Sequence, residues 1–335
     1  MDVAPEIPGL RSMTLPTKPD CPFKYTFTTV STSDEPPSHT ILVVFVNGLG
    51  LPQASWQPTL QLLQADLAAS PSPLPLPSTG TKYVVHAVTY DRYGQGLSQP
   101  QHGAKPAPHD MLDAAQDLSA FIDGIKSGHL PGNKNVRMFL VAHSIGVPLA
   151  RLFIERYPGS VAALLALDSN MANNDFVSLF PDPESPSFDP QRDLPSDTTL
   201  DQLRAARQFA QVMFHPAAPN GENLDRSTLP TLLPLRDGPV IVGDGDGKLL
   251  LQVAGHDPET FAVESLKVSP RGLTERYVQP AWEKYNEGLL SIAGEPTGRK
   301  VIIAPGCGHF IQKNNPRFVA DEVIAMLKTL CGGRA

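Results

Sequence analysis

A reactive side chain coincides with a sharp change of secondary structure near the middle of the chain. Four apolar residues at 138–141 predict a buried strand, and the segment A-H-S-I-G at 142–146 leads from it into an amphipathic helical pattern without a loop. The small residues Ala142 and Gly146 would allow a tight strand-to-helix turn around Ser144. Such a turn lifts a hydroxyl clear of the backbone, so we predict that Ser144 is an exposed nucleophile.

A serine hydroxyl is a poor nucleophile at neutral pH and needs a base within hydrogen-bond reach. His309 is the best of the nine histidines, because it lies in the glycine-rich loop P-G-C-G-H-F just after the segment 299–304, which predicts the last strand. Open α/β sheets place their sites at the carboxyl ends of their strands. We therefore predict His309 as the base, and we interpret His143 and His256 as packing groups or as supports of their neighbours.

Strands and helices alternate around these residues. A segment at 23–30 predicts a strand at an antiparallel edge, and the β-α-β-α-β-α-β order that follows predicts a parallel, doubly wound sheet. The remaining predicted strands lie at 40–46, 83–89, 138–141, 161–167, 249–253 and 299–304, and the main helices at 56–68, 111–126, 146–157, 277–292 and 315–330.

At this point the sequence resembles the α/β-hydrolase family. The turn that carries the nucleophile in that family usually reads G-x-S-x-G, and here Ala142 stands in place of the first glycine. The segment 91–98 resembles the family's D-x-x-G-x-G-x-S loop, for which we expect a structural role, and 306–310 resembles its histidine loop. The resemblance covers 40–170 and 249–330. It implies an α/β-hydrolase fold with a mostly parallel central sheet and helices on both faces.

The resemblance also implies two oxyanion donors. In the family, the strand that corresponds to 40–46 usually ends in His-Gly, and a backbone amide just after that glycine donates to the oxyanion. Here the pair is Asn47-Gly48, so the implied donors are the amides of Leu49 and of Ile145. Whether the Asn47 side chain adds a contact stays open.

Two aspartates are candidates for the acid that orients His309. Asp257 follows the strand predicted at 249–253 and keeps the family's chain order of serine, acid and histidine, so we prefer it. Asp168 follows the strand predicted at 161–167, where some members of the family place the acid. The long interval between Asp257 and His309 keeps Asp168 as the alternative.

Residues 170–247 lack a clear periodicity and contain loops rich in proline and aspartate. The family inserts a cap at this place, so we predict a core of residues 1–169, a cap of 170–247 and a second core part of 248–335. Several apolar residues of the insertion could line an acyl or aromatic substrate pocket, although packing between cap and core is the simpler role for each: Phe176, Phe180, Phe209, Met213 and Phe214.

The composition narrows the class of protein. The chain has 335 residues, and its net charge of −7, without a local cluster of lysine or arginine, argues against a nucleic-acid partner. No apolar run approaches a membrane span, and the N-terminus lacks the basic start and apolar region of a secretory signal. The three cysteines are odd in number and lack metal-type spacing, which suits free thiols. We expect a cytoplasmic protein without a membrane partner.

These features predict a serine hydrolase for a small-molecule carbonyl substrate. His309 would take the proton of Ser144, which would attack an ester, lactone or thioester, and the chemistry needs no metal or organic cofactor. Serine at this position argues against the aspartate-dependent epoxide hydrolases and dehalogenases of the same fold. Two alternatives stay open: hydrolysis of a C–C bond in a β-diketone-type substrate, and a ligand-binding or receptor protein on this fold.

Overall fold

The computed structural model describes residues 7–31, 39–69, 83–294 and 300–332. The strands are β1 Leu10–Leu15, β2 Lys18–Ser31, β3 His39–Val46, β4 Tyr83–Tyr90, β5 His109–Asp110, β6 Val136–His143, β7 Ala163–Leu167, β8 Leu224–Asp225, β9 Leu250–Gly255 and β10 Ile302–Ile303. The α-helices are α1 Gln57–Ala69, α2 Met111–His129, α3 Gly146–Arg156, α4 Pro190–Asp193, α5 Leu200–Met213, α6 Leu229–Leu232, α7 Pro258–Ser265, α8 Arg271–Leu273, α9 Gln279–Leu289, α10 Ile311–Asn314 and α11 Pro316–Gly332. A π-helical turn at Thr274–Val278 joins α8 to α9, and 3-10 turns lie at Gln53–Trp56, Gln101–Gly103 and Leu290–Ala293.

Eight strands form one sheet in the order β1-β2-β4-β3-β6-β7-β9-β10. The pairs β1–β2 and β2–β4 are antiparallel, and the pairs from β4 to β10 are parallel. The strand predicted at 23–30 is confirmed as part of β2, whereas the outermost strand β1 was not predicted. The mostly parallel sheet of an α/β-hydrolase fold is therefore present.

Two apolar layers cover the sheet, one on each face. The central strand β3 supplies alternate side chains to the two layers, which explains its unbroken run of apolar residues. Helices α2, α3 and α9 belong to the layer that contains Leu42, Val44 and Val46. Helices α1 and α11 belong to the opposite layer, which contains Ile41, Val43 and Phe45. The prediction of helices on both faces is confirmed.

The helix after Ser144 differs from its predicted character. We expected an amphipathic helix, but α3 is buried continuously from Gly146 to Ile154. Helix α2 packs on α3, and the polar side chain of Arg151 in α3 is covered by Tyr285 of α9 and by the carbonyls of Leu235 and Gly238. Helix α2 itself starts at Asp110, where the side chains of Asp110 and Asp113 form a reciprocal capping box.

The chain between β7 and β9 contains one longer helix, α5, and otherwise only short elements. It comprises α4, α5, β8 and α6, and α5 begins at a capping box between Thr199 and Gln202. Strand β8 pairs with β5 in a separate two-stranded sheet, with Leu224 opposite His109. The assignment of 170–247 as a cap stays a prediction. The proline-rich connection at 71–77 and the N-terminal residues 1–6 lie outside the described residues.

All three cysteines are buried and free of disulfides. In the part of the chain that the structure describes, none of the helices combines the length and the apolar character that a membrane crossing requires.

Candidate active site

Ser144 occupies the predicted turn between β6 and α3. Its φ angle is +53°, a backbone conformation that residues other than glycine rarely adopt. The Ser144 amide donates to the Leu167 carbonyl at 3.1 Å, and the Ser144 carbonyl accepts from the amides of Val147 at 3.0 Å and Asn170 at 3.1 Å. These bonds fix the strained turn and leave the hydroxyl at the edge of the sheet.

Gly146 is required by the close approach of β3 to this turn. A Cβ atom at Gly146 would lie 2.5 Å from the carbonyl oxygen of Val46 and 2.9 Å from that of Asn47. The sequence predicted a small residue at this position to let the turn close. The structure identifies the neighbouring backbone as the physical reason.

The register of the parallel strands brings an aspartate next to the serine. In the pairing of β6 with β7, His143 lies opposite Leu167, so Ser144 and Asp168 follow their strands at the same level. Asp168 has a φ angle of +40°, and its amide donates to the Ala254 carbonyl of β9 at 2.8 Å. The carboxylate is fully buried.

A continuous chain of hydrogen bonds connects Ser144, His309 and Asp168. Nε2 of His309 lies 2.9 Å from the Ser144 hydroxyl oxygen, and Nδ1 lies 2.6 Å from Oδ2 of Asp168. Because the carboxylate accepts, Nδ1 carries the proton, and the neutral ring leaves Nε2 free to accept from the hydroxyl. Ser144 and His309, both predicted from the sequence, are therefore brought together.

The preference for Asp257 as the partner of His309 is wrong. Asp257 caps α7: its Oδ1 accepts from the Thr260 amide at 2.9 Å and from the Thr260 hydroxyl at 3.1 Å. Its other oxygen faces the amide of Gly306 at 3.5 Å. The pattern Asp-Pro-x-Thr was the available signal, since aspartate before an N1 proline is typical of a helix start.

The predicted oxyanion donors border the same space as the hydroxyl. Leu49 and Ile145 line the cavity that also contains Ser144 and His309. Their amide groups have no acceptor among the residues that the structure describes. Both N–H groups are thus free to donate to a ligand.

A comparison with protein-family models identifies the family of the chain. The model of the alpha/beta hydrolase family matches residues 43–322. The chain belongs to the alpha/beta hydrolase family.

Solved structures of other members share the fold at low sequence identity. A peroxisomal alpha-beta-hydrolase from Saccharomyces cerevisiae has a TM-score of 0.54 and 11% identity, over 96% of this chain and 88% of that chain. A soluble variant of monoglyceride lipase from Saccharomyces cerevisiae gives 0.53 and 14%, over 99% and 97%. A thermophilic esterase from Thermogutta terrifontis gives 0.50 and 16%, over 96% and 98%. No curated protein matches the sequence. At these identities the likeness shows the fold alone.

In this alpha/beta hydrolase, Asp168 has a second histidine partner. Nδ1 of His256 lies 2.8 Å from Oδ1 of Asp168, and the His256 amide donates to the same oxygen at 3.2 Å. Nε2 of His256 lies 3.1 Å from Oε1 of Gln279, whose amide nitrogen donates to Glu283 at 3.1 Å. Since both ring nitrogens face oxygen atoms, the geometry favours the doubly protonated imidazolium.

These contacts set the charges of the buried pair. Burial opposes the charged form of both groups, but the neighbouring charges and hydrogen bonds outweigh it. The pKa of His256 is raised above its ordinary value, chiefly by the charge of Asp168 and the hydrogen bond to it. The pKa of Asp168 is held well below its ordinary range by the charge and hydrogen bond of His256 and by the hydrogen bond from His309. Asp168 is therefore an ionised acceptor for both rings.

His143 supports the backbone of the histidine loop. The ring is fully buried, and its Nε2 donates to the carbonyl oxygen of His309 at 2.7 Å. Burial, followed by the charge of His309, lowers the pKa of His143 to about 3. His143 is thus a neutral donor that fixes the position of His309, in agreement with its interpretation as a supporting group.

The Asn47 side chain is engaged away from the cavity. Its amide nitrogen donates to the Tyr90 carbonyl at 2.8 Å and to Gln95 at 2.9 Å, and its oxygen accepts from the indole of Trp56 at 2.6 Å. These bonds answer the open question about Asn47. The side chain holds the turn that carries Leu49, and Asn47 does not line the cavity.

The loop at 91–98 also holds that turn. Arg92 donates to the carbonyl oxygens of Asn47 at 2.5 Å and Gly48 at 3.1 Å, and it pairs with Glu222 at 2.9 Å. Glu222 in turn accepts from the amide of Gly50 at 2.6 Å. The structural role predicted for the loop is confirmed, and an ion pair links it to the chain before β8.

A cavity of about 450 Å³ opens on Ser144. All five apolar residues that the sequence suggested from the insertion line it. A second wall, formed by 261–282, was missed because its apolar residues are scattered through short helices. This wall comprises Phe261, Val268, Val278 and Trp282, and Phe310 adds a further aromatic ring. The space is mostly apolar.

Proposed function

We propose that this chain is a serine hydrolase that cleaves a carboxylic ester, lactone or thioester through an acyl-enzyme. The observation that carries the proposal is the chain of hydrogen bonds from the Ser144 hydroxyl through His309 to the buried carboxylate of Asp168. A nucleophile, a base and a group that orients the base are the parts that acyl transfer by serine requires.

The first half of the reaction acylates Ser144. Nε2 of His309 takes the hydroxyl proton while the Ser144 oxygen bonds to the carbonyl carbon of the substrate. The amides of Leu49 and Ile145 donate to the oxygen that becomes negative. The tetrahedral intermediate then collapses, the bond to the leaving oxygen or sulfur breaks, and His309 returns the proton to the leaving group.

Water completes the cycle in the second half. His309 takes a proton from the water as it attacks the acyl carbonyl, and it gives that proton to the Ser144 oxygen when the acyl group leaves as an acid. Asp168 keeps the proton of the neutral ring on Nδ1 and stabilises the imidazolium that forms twice in each turnover.

The cavity supports an acyl or aromatic substrate group. Its volume of about 450 Å³ lies within the usual range of small-molecule sites, about 300–1,000 Å³. We also propose that residues 170–247 act as the cap over this space, since Phe176, Phe209 and Phe214 of that segment line it. Cytoplasmic location, independence of metals and cofactors, and the expected lack of nucleic-acid and membrane partners stay predictions.

Hydrolysis of short-chain aryl esters tests the proposal. The wild-type protein should release the aryl alcohol in multiple turnovers, and Ser144→Ala should lose this activity almost completely. Ser265→Ala is the matched control, because Ser265 lines the same cavity and no histidine of the described chain bonds to it, and the variant should keep most of the activity. Folded wild-type protein that turns over no ester would favour the ligand-binding alternative.

A further inference from the structure

The cavity that contains Ser144 also holds a buried guanidinium group. Arg226 follows β8 directly, is 4% exposed and lines the cavity. Its Nη2 donates to the carbonyl oxygens of His215 at 3.1 Å and Ala218 at 3.0 Å. Its Nε is buried without an acceptor, and Nη1 has none in the described part of the chain. Two of its three nitrogens therefore lack a protein partner.

The carboxylates near Arg226 are engaged elsewhere. Glu222 pairs with Arg92 at 2.9 Å, and Asp225 accepts from the amide of Ser227 at 2.8 Å. No described carboxylate forms an ion pair with Arg226 itself. Burial lowers the pKa of Arg226, although a guanidinium stays protonated in proteins. A buried cation with unused donors is unfavourable unless an anion completes it.

Uncharged oxygen acceptors alone can hold a buried arginine, as Arg151 of α3 shows. Its Nη1 donates to the Tyr285 hydroxyl at 3.1 Å, and its Nη2 donates to the carbonyls of Leu235 at 3.0 Å and Gly238 at 2.8 Å. Arg151 is not among the residues that line the cavity, and both its terminal nitrogens have acceptors. Arg226 lines the cavity, and one of its terminal nitrogens has no acceptor. Its bonds to the carbonyls of the 215–218 loop therefore explain only part of why a buried arginine stands at this position.

The charged residues of the cavity determine at which end an anionic group of a ligand would bind. The carboxylate of Glu264 lies against Gly308, which precedes His309 in the chain. An anionic group would be repelled beside His309 and attracted by Arg226, and most of the remaining wall is apolar. The charge pattern suits a ligand with an apolar body and one anionic end.

We propose that Arg226 binds a carboxylate of the substrate, so that the substrate is an ester or thioester with a second, ionised carboxyl group remote from the scissile carbonyl. The inference rests on the proposed function, which assigns the scissile carbonyl to Ser144. A charge-assisted hydrogen bond from Nη1 would satisfy one of the two nitrogens that the protein leaves without a partner.

Matched pairs of esters test the proposal. One series consists of aryl monoesters of dicarboxylic acids from succinic to sebacic acid, and the other consists of aryl esters of monocarboxylic acids of equal length. At one or more lengths the wild-type kcat/KM should favour the carboxylate ester by at least about tenfold, since a hydrogen bond to a charged group contributes an effect of this size. A ratio near one at every length would overturn the proposal.

Variants assign the preference to Arg226. Arg226→Met should reduce the ratio to about one or below, and Arg226→Lys should keep part of it. The ratio compares kcat/KM for two substrates of the same protein sample. A variant that is only partly folded therefore lowers both values equally and leaves the ratio unchanged. Arg207→Met is the control: Arg207 donates to the Phe180 carbonyl at 2.8 Å and lies near Asp182, but it does not line the cavity. A loss of the ratio in Arg207→Met alone would refute the assignment.

A binding measurement separates this inference from the proposed function. If the wild-type protein hydrolyses neither series, the proposed function fails, and calorimetry with suberate and octanoate then tests Arg226. Tighter binding of suberate by the wild type, lost in Arg226→Met, would support the carboxylate site. Equal binding of the two acids by the wild type would overturn it.

Discussion

His256 lies 2.8 Å from Asp168, on the carboxylate oxygen that His309 does not use. Asp168 and Asp257 both keep the order of serine, acid and histidine, so chain order could not separate them, and we preferred the acid just after β9. The residue that reaches the centre from this strand end is instead a histidine, and the acid comes from the end of β7. The carboxylate thus orients His309 while it is itself held by a second ring.

Replacement of the two candidate acids should give opposite results. Asp168→Asn should lower kcat by about 10³- to 10⁴-fold, because the amide no longer holds the correct tautomer of His309. Asp257→Ala should keep most of the activity and lose about 0.5–2 kcal/mol of the free energy of unfolding, as expected for a lost helix cap. Steady-state kinetics and urea denaturation measure the two effects. Loss of activity in Asp257→Ala with normal stability would contradict the assignment.

The two supporting histidines should have opposite effects on stability as the pH changes. The pKa of His256 is raised in the folded state above its ordinary value of 6.5. Its stabilising contribution is therefore complete below pH 6.5 and is lost as the pH rises through the folded pKa. His256→Gln, which cannot become charged, should lack this loss in urea denaturation across a pH series. An unchanged pH dependence in the variant would show that His256 is not the imidazolium.

His143 should affect the pH dependence of stability in the acidic range. Its pKa is about 3 in the folded protein and ordinarily 6.5, so the unfolded chain takes up a proton first as the pH falls. Stability should be lost progressively from pH 6.5 downward. His143→Gln can still donate to the His309 carbonyl without titrating, so its stability should fall less between pH 6.5 and 4. An equal decline in both proteins would contradict the buried neutral ring.

A methyl group at Gly146 should disturb the turn at Ser144. Gly146→Ala would place a Cβ atom 2.5 Å from the Val46 carbonyl, and we expect a loss of about 1–3 kcal/mol in the free energy of unfolding. Gly128→Ala in α2 is the control, because nothing lies within 4 Å of the added atom, and it should stabilise the protein by up to about 1 kcal/mol. A neutral Gly146→Ala variant would argue against the close approach of β3.

Local patterns predicted the parts of the fold that depend on local sequence. Unbroken apolar runs such as 40–46 identify strands buried on both faces, and the small residues around Ser144 identify a turn that must close tightly. Both features are properties of a few consecutive residues. For this reason most strands, the main helices and the turn at Ser144 could be read from the sequence. His309 was found from its glycine-rich loop after a predicted strand and from the family resemblance.

The parts that depend on pairing between distant strands could not be predicted. The choice of Asp168 follows from the register that sets Leu167 opposite His143, and no local pattern encodes that register. The unpartnered nitrogens of Arg226 depend on which carboxylates are already engaged. Helix α3 is buried because α2 packs on it and because Tyr285 and the 235–238 segment cover Arg151. Each of these properties belongs to the packed molecule.

Covalent labelling by a fluorophosphonate tests the central claim most directly. The reagent reacts with serines that a nearby base activates, and mass spectrometry of the digested protein locates the adduct. We predict one adduct, on Ser144, which is absent in Ser144→Ala and forms much more slowly in Asp168→Asn. An adduct on another serine would contradict the assignment of Ser144 as the activated nucleophile. The absence of any adduct on folded protein, with a reagent small enough for the cavity at Ser144, would contradict it as well.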